Sequence, residues 1–123
     1  MNEREKIIAD YFNSWIEKDI SVPANTFAGG AVYIESWGPV YRGLDHILYW
    51  IEDWNRMHSV MEWNIYKFYH IGNVCICEWF FKCKCYGDIS EFNGVSIITF
   101  NDENKIVLLK EYKSETQDIF PYE

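Results

Sequence analysis

The amino-acid sequence predicts one α+β domain, in which N-terminal helices pack on a strongly curved antiparallel β-sheet and enclose a pocket. Three observations predict this fold class. Apolar residues recur at helical spacing only in the first half of the chain, whereas turns separate long strand-like segments in the second half. Hydrophobic residues make up 49% of the 123 residues, enough for the core of a single domain over residues 1–123. Helices followed by consecutive hairpins are typical of layered α+β proteins.

The first helix is predicted from an apolar stripe near the N-terminus. Asn2 can accept a hydrogen bond from a free backbone N–H, and Glu5, three residues later, completes a capping-box pattern. The helix is expected to end near Lys18 and Asp19. Its inward face consists of Ile7, Ile8, Tyr11, Phe12, Trp15 and Ile16.

Two further helices are predicted. A short helix spans residues 21–27, with Ser21 as its N-cap and the Gly29-Gly30 pair as its stop signal. The other helix spans residues 44–57. Its expected buried stripe is Ile47, Trp50, Ile51 and Trp54.

The remaining segments are predicted to be strands, because β-branched and aromatic residues are concentrated between turns that contain Gly, Asn or Asp. Residues 114–123 form a polar, aromatic tail. The predicted strands are residues 31–37, with a short extended segment at 40–42, followed by residues 60–69, 74–85, 91–100 and 105–113. A curved sheet of these strands, wrapped around a helix, would leave a cone-shaped cavity.

The charge of the chain argues against two classes of partner. Eleven Lys and Arg residues against 19 Asp and Glu residues give a formal charge of −8. Nucleic-acid backbones and anionic membrane surfaces would be repelled. No apolar run approaches the roughly 20 residues of a membrane helix, and the first residues lack the apolar segment of a signal peptide. We therefore expect a cytoplasmic protein without nucleic-acid or membrane partners.

Four stretches, in this order and spacing, resemble the NTF2-like superfamily, in particular its SnoaL-like and ketosteroid isomerase-like branches. They are residues 9–19 (Ala-Asp-Tyr-Phe to Lys-Asp), 27–35 (Phe-Ala-Gly-Gly-Ala-Val-Tyr-Ile-Glu), 41–47 (Tyr-Arg-Gly-Leu-Asp-His-Ile) and 92–112 (from Phe-Asn-Gly-Val-Ser to Glu-Tyr). The resemblance implies a cone-shaped, cystatin-like α+β fold. It also implies a homodimer formed through the outer face of the sheet, with Phe80 between the subunits. The superfamily includes isomerases, cyclases, dehydratases, hydrolases and non-catalytic binding modules, so the fold alone does not select a function.

The resemblance assigns roles to two residues. Glu35 matches the catalytic acid of ketosteroid isomerases, and Tyr11 matches the tyrosine that donates a hydrogen bond to the developing oxyanion. A carboxylate in an aromatic pocket is desolvated, so we expect its pKa to rise toward neutrality. A phenol donor held in a dry site stabilises negative charge more than one in water. The alternatives are an exposed Glu at a strand end and a core Tyr with a backbone partner.

Ser96 marks a departure from the ketosteroid isomerase pattern. Those enzymes place a protonated Asp at the position that Ser96 occupies, so Ser96 retains only the capacity to donate one hydrogen bond. Glu111 and Lys113 share one face of the last strand, and by resemblance this face looks into the cavity. Lys113 is expected to pair with Glu35 or Glu111, or to hold an anionic ligand group. The alternative is a solvated strand end.

Aromatic residues, 19% of the chain, supply the expected ligand wall. Such a wall suits a small apolar or cyclic molecule. The alternative is that these residues form ordinary hydrophobic core. The predicted ligand-binding set is Trp15, Trp37, Trp50, Trp54, Trp79 and Phe81, together with Ser96, Glu111 and Lys113.

No metal or cofactor is expected. The cysteines alternate along one predicted strand over about ten residues, too far apart for one tetrahedral zinc site, so reduced and packed thiols are expected rather than a metal site or a disulfide. Phosphate-binding loops and nucleophile elbows are absent from the sequence, and His58 is the only candidate acid or base among the histidines. The four cysteines are Cys75, Cys77, Cys83 and Cys85.

Two functional interpretations remain open from the sequence. The first is a cofactor-independent isomerase, cyclase or dehydratase, with Glu35 as acid or base and Tyr11 as the polarising donor, assisted by Ser96 or Lys113. The second is a non-catalytic module that binds a small ligand or dimerises.

Overall fold

A computed structural model describes residues 1–123 and contains three helices and six strands. Helices pack against one curved, unclosed sheet, which confirms the predicted α+β fold class. In chain order the elements are α1 (Glu3–Glu17), α2 (Ser21–Thr26), β1 (Phe27–Ile34), β2 (Val40–Arg42), α3 (Leu44–Met57), β3 (His58–Ile71), β4 (Val74–Cys85), β5 (Asp88–Phe100) and β6 (Ile106–Ser114).

The strands lie in the order β2-β1-β6-β5-β4-β3. The long hairpins from β3 to β6 are antiparallel, as predicted. The first strand, however, lies parallel to the last one, with Tyr33 beside Leu109 and Ile34 beside Lys110. This single parallel pair places the first long strand beside the last one inside the sheet.

The N-terminus of α1 begins as the sequence predicts. The Asn2 side chain accepts a 2.9 Å hydrogen bond from the backbone N–H of Glu5. The Glu5 carboxylate does not close the capping box; it lies 2.6 Å from Nε2 of His70 and links the helix to β3. The helix ends at Glu17, and its C-cap, Lys18, adopts a left-handed conformation with φ 55°.

The prediction for α2 was correct for its start at Ser21 but wrong for its cap and for its stop signal. Ile20, rather than Ser21, occupies the N-cap position and makes no side-chain capping bond, while Oδ1 of Asp19 accepts hydrogen bonds from the backbone N–H and the hydroxyl of Ser21. The helix ends at Thr26, and the Gly29-Gly30 pair lies within β1 instead of stopping the helix. Pairing with β6 extends the chain here, and the register shifts between Phe27 and Val32.

Several strand ends also differ from the prediction. β1 begins at Phe27 rather than Ala31 and ends at Ile34, because residues 35–38 form a turn closed by a hydrogen bond from Gly38 N–H to the Glu35 carbonyl. β3 and β5 are longer than predicted. Their extra residues continue the ladders with β4, so neighbouring strands determine where these strands end.

The hydrophobic core lies between α1, α3 and the inner face of the sheet. Phe12 of α1 stacks on Trp63 of β3 with ring centroids 3.8 Å apart. Ile47 and Ile51 of α3 are buried as predicted, whereas Trp50 and Trp54 are only half-buried. None of the helices combines the length and apolar character needed to span a membrane.

Candidate functional site

A cavity of about 280 Å³ is lined by residues of α1, α3 and the sheet. This volume lies near the lower end of the range for small-molecule sites, roughly 300–1,000 Å³. All six tryptophans line it, and Trp37, which is 71% exposed, stands at its mouth. The other lining residues are Tyr33, Glu35, Ser36, Val60, Phe81, Cys83, Cys85, Ser90, Phe92, Glu111 and Lys113. Of the residues predicted for the site, all but Tyr11 and Ser96 are therefore in the cavity wall.

Glu35 reaches the cavity because side chains alternate along β1. Ala31 and Tyr33 are buried on the inner side, and Glu35 continues that side just beyond the end of the strand. The hydroxyl of Tyr41 donates a 2.8 Å hydrogen bond to Oε2 of Glu35. Burial raises the pKa of the Glu35 carboxyl, and the bond from Tyr41 partly opposes this rise.

Glu111 is the second carboxyl of the cavity. The hydroxyl of Tyr33 donates a 2.5 Å hydrogen bond to its Oε2. Burial raises the pKa of Glu111 to about 8, although the Tyr33 bond favours the charged form, and the negative charge of Glu35 raises it further. The Glu111 side chain is half-buried and lines the cavity.

The parallel pairing explains why the two carboxyls interact. In the register of β1 and β6, Ile34 lies beside Lys110. Glu35 and Glu111 are the next residues after this pair, and they are close enough for the negative charge of Glu35 to raise the pKa of Glu111. Two carboxyls, each with a tyrosine donor, therefore occupy the same part of the cavity wall.

The indole rings form walls that meet at steep angles. Trp15 lies edge-to-face against Trp50 and Trp54, with centroid distances of 5.2 Å and 5.4 Å and interplanar angles of 62° and 86°. Trp50 is in turn stacked on Tyr41 at 4.5 Å, with the rings 12° from parallel. These contacts fix the rings in place, so the cavity is bounded by rigid aromatic surfaces.

Comparison with known proteins finds relatives by structure alone. No family model matches the sequence, and no curated protein matches it. The structure is similar to a hypothetical protein with a ketosteroid isomerase-like fold from Catenulispora acidiphila, solved in complex with trimethylamine. The TM-score is 0.78, with 17% identity over 89% of this chain and 85% of that one. An LEH-like epoxide hydrolase of M. tuberculosis gives a TM-score of 0.82 and 14% identity over 91% and 83% of the two chains. A SnoaL-like polyketide cyclase candidate from Shewanella denitrificans gives 0.74 and 13% identity over 93% and 92%.

The chain has the ketosteroid isomerase-like, or NTF2-like, fold. The resemblance read from the sequence is thereby confirmed for the fold. Identities below 20% show no shared activity, so the chemistry has to be argued from the cavity itself.

Within this NTF2-like cavity, Tyr11 does not occupy the place predicted for it. Its side chain is fully buried beneath the wall, edge-to-face against Phe27 at 5.1 Å, and its hydroxyl has no hydrogen-bond partner. Burial raises its pKa well above the ordinary value, and the nearby Glu111 charge adds to the rise. The hydroxyl that bonds a cavity carboxyl belongs instead to Tyr33, two residues before Glu35.

Ser96 is likewise buried beneath the wall and supports Trp79. Its hydroxyl accepts a 2.9 Å hydrogen bond from Nε1 of Trp79. The indole lies over Gly94, its partner on the neighbouring strand, and a Cβ at that position would lie 2.3 Å from the Trp79 ring. The glycine therefore makes room for the ring, and the serine fixes its orientation.

Lys113 forms no ion pair with either carboxyl. Its side chain is exposed at the rim, and its ammonium group lies 5.2 Å from the centre of the Phe92 ring. The pairing expected with Glu35 or Glu111 was therefore wrong, because the ring of Phe92, on the neighbouring strand, attracts the ammonium group.

Four lining or supporting aromatics were missed by the sequence analysis. Tyr33 could have been found from its alternation with Glu35. Tyr41, Trp63 and Phe92 had no comparable local signal, because their places depend on how distant strands pair.

The thiols are divided between the core and the cavity. Cys75 and Cys77 are buried, while Cys83 and Cys85 line the cavity with their Sγ atoms 3.2 Å apart. Burial raises the pKa of Cys83 to about 12, so its thiol is a poor nucleophile at neutral pH. His58 contacts Trp54 and Tyr86 but does not line the cavity.

Proposed function

We propose that this protein binds a small, largely apolar and cyclic molecule and moves a proton on it without a cofactor. Glu111 and Glu35 act as the acid and base of this reaction. Isomerisation, cyclisation and dehydration next to a carbonyl group belong to this chemistry. The observation that carries the proposal is the presence of two carboxyls, each bonded by a tyrosine hydroxyl, in one aromatic cavity.

The surroundings divide the roles between the two carboxyls. With a pKa of about 8, Glu111 is mostly protonated at neutral pH and can donate a proton to a developing oxyanion. Glu35 is less enclosed and accepts the Tyr41 hydrogen bond, so it is the proton acceptor. The oxyanion-donor role predicted for Tyr11 passes in this proposal to Glu111, because the Tyr11 hydroxyl lies beneath the wall.

The structural neighbours support this reaction class at the level of the fold. An LEH-like epoxide hydrolase and a SnoaL-like polyketide cyclase candidate share the fold of this chain. Proton transfer to or from a bound small molecule would be common to such chemistries.

The proposal is tested with 2-tetralone, a two-ring ketone whose α-hydrogens exchange with solvent. Proton NMR in D2O measures how fast they are replaced by deuterium. We expect acceleration by the wild-type protein and a loss of about 100-fold in the Glu35→Gln and Glu111→Gln variants. The Glu91→Gln variant, altered at an exposed position outside the cavity, is the matched control. Wild-type rates in both cavity variants would overturn the proposal.

A non-catalytic binding module is the second candidate, and the rigid indole wall favours it. Binding of 2-tetralone, detected by tryptophan fluorescence, without any acceleration of exchange would support this alternative.

The protein is also proposed to form a homodimer through the outer face of the sheet, where half-buried apolar residues include Phe80, Val95 and Ile97. Light scattering at micromolar concentration tests the dimer, and a monomer would contradict it.

A further inference from the structure

We propose that the molecule held in this cavity carries a positively charged amino or quaternary ammonium group, seated between indole faces and the carboxylates. This inference rests on the proposed function, because both place a small molecule in the same cavity. It restricts the class of expected ligand from small apolar molecules in general to organic cations.

The composition of the wall is the first argument. A neutral apolar ligand is served equally well by aliphatic side chains, yet Val60 is the single aliphatic residue among those that line the cavity. All six tryptophans are there, with Tyr33, Phe81 and Phe92. Indole is the side chain whose face attracts cations most strongly, and cages of such rings bind quaternary ammonium groups.

The geometry of the rings is the second argument. Trp15 meets Trp50 and Trp54 at 62° and 86°, so these indoles bound the cavity in different planes. Differently oriented aromatic surfaces can surround a compact ammonium group and present several ring faces to its positive charge. Lys113 shows that this wall accepts a cation, because its ammonium group lies 5.2 Å from the Phe92 ring centre.

The charges of the cavity are the third argument. Glu35 and Glu111 are set into the wall, while the only basic lining residue, Lys113, is exposed at the rim and pairs with neither. An anionic ligand would therefore face two carboxyls. A cation would neutralise them, and the chain's net charge of −8 favours its approach.

Binding of a cation is expected to depend on pH through Glu111. A cation favours the ionised form of this carboxyl, so binding releases its proton. The affinity therefore rises as pH increases, by up to about tenfold per pH unit below the pKa. The titratable groups around Glu111 are Tyr11 on α1, Tyr33 and Glu35 on or next to β1, Tyr41 on β2, Cys77 on β4 and Lys113 on β6. Glu35 is the other carboxyl among these groups; burial raises its pKa as well, and it acts in the same direction.

The test compares choline with 3,3-dimethylbutan-1-ol, in which a carbon atom replaces the quaternary nitrogen. Titration followed by tryptophan fluorescence and calorimetry gives the affinity of each from about pH 6 to about pH 9. We expect choline to bind at least about tenfold more tightly than the alcohol at the upper end, and its affinity to rise with pH. The Glu111→Gln variant should lose most of this preference and its pH dependence, while Glu91→Gln retains both.

The outcomes separate this inference from the proposed function. If the alcohol binds as tightly as choline, or if choline affinity falls with rising pH, the cation proposal is wrong, and the acid–base proposal is still decided by the exchange of 2-tetralone. If choline is preferred but no exchange is accelerated, the cation proposal stands and the enzyme proposal fails. A preference for choline that survives in Glu111→Gln would leave the indoles as the cation site and contradict the role given to Glu111.

Discussion

The Tyr33 hydroxyl donates a 2.5 Å hydrogen bond to Oε2 of Glu111 and thereby joins the first strand to the last within the cavity. The bond crosses the one parallel pair of the sheet. It satisfies a carboxyl that would otherwise be buried without a partner, and it limits how far burial raises the pKa of that carboxyl.

The stability of the protein should decrease as pH rises from about 5 to about 8. Glu111 has a folded-state pKa of about 8 against an ordinary 4.5, so in this interval the folded protein holds a proton that the unfolded chain has lost. The resulting stabilisation is fully present below the unfolded pKa and is lost as pH passes through 8, a loss on the order of a few kcal/mol. Urea denaturation across this range measures it. Glu111→Gln should reduce the slope, and an unchanged slope would contradict the assignment.

Replacing Tyr33 by Phe should raise the pKa of Glu111. The substitution removes the hydrogen bond that favours the carboxylate and leaves the burial that disfavours it. Carbon-detected NMR titration measures this pKa, with Glu111→Gln used to assign the signal. Tyr66→Phe, which alters an exposed tyrosine on β3, is the control and should leave the value unchanged. A lower pKa in Tyr33→Phe would show that the bond does not act as described.

Alanine at position 94 should destabilise the protein by about 1–3 kcal/mol. The added Cβ would lie 2.3 Å from the Trp79 ring, whose position is also fixed by Ser96. Gly30→Ala is a matched control, because a Cβ at that strand position meets nothing within 4 Å. Thermal unfolding and tryptophan fluorescence measure the difference. Equal stability of the two variants would mean that the indole moves aside without cost.

Replacing Ser96 by Ala should cost about 1–3 kcal/mol, because Nε1 of the buried Trp79 then loses its acceptor. Ser90 lies on the same strand at an exposed position of the cavity, so Ser90→Ala is expected to change stability little. Chemical denaturation compares the two variants. A loss as large in Ser90→Ala would show that the effect is not specific to the indole bond.

Much of the local structure follows from the sequence. The stripe from Ile8 to Trp15 and the Asn2 cap predict α1, and the hairpin segments predict β3 to β6, because these signals depend on residues close together in the chain. Predictions fail where a distant strand intervenes. Gly29 and Gly30 signal a helix stop, but they lie within β1, in the irregular stretch between Phe27 and Val32, which both pair with β6.

The residues of the candidate site also fall into those that the sequence predicted and those that only the structure revealed. Helical spacing predicted that Trp15 faces inward, and strand alternation together with the resemblance to the NTF2-like superfamily placed Glu35, Glu111 and Trp79 at the cavity. Alternation does not say which strands are neighbours, so Tyr33 and Tyr41 could not be assigned as the donors to the two carboxyls. Nor could it show that Tyr11 and Ser96 stop short of the cavity, since that depends on the packing of Phe27 and Trp79 around them.

The sequence by itself determined the fold class, the helical and strand segments, and an acidic chain rich in inward-facing aromatic residues. Only the tertiary structure decided that β1 lies parallel to β6, which brings Glu35, just beyond the end of β1, near Glu111. The physical reason is that the periodicity of a sequence shows which side of a helix or strand is buried. The pairing of β1 with β6, by contrast, is fixed by contacts between residues more than 70 positions apart, such as Tyr33 and Leu109. The pKa of Glu111, the bond from Tyr33 and the aromatic cavity around them all depend on that pairing.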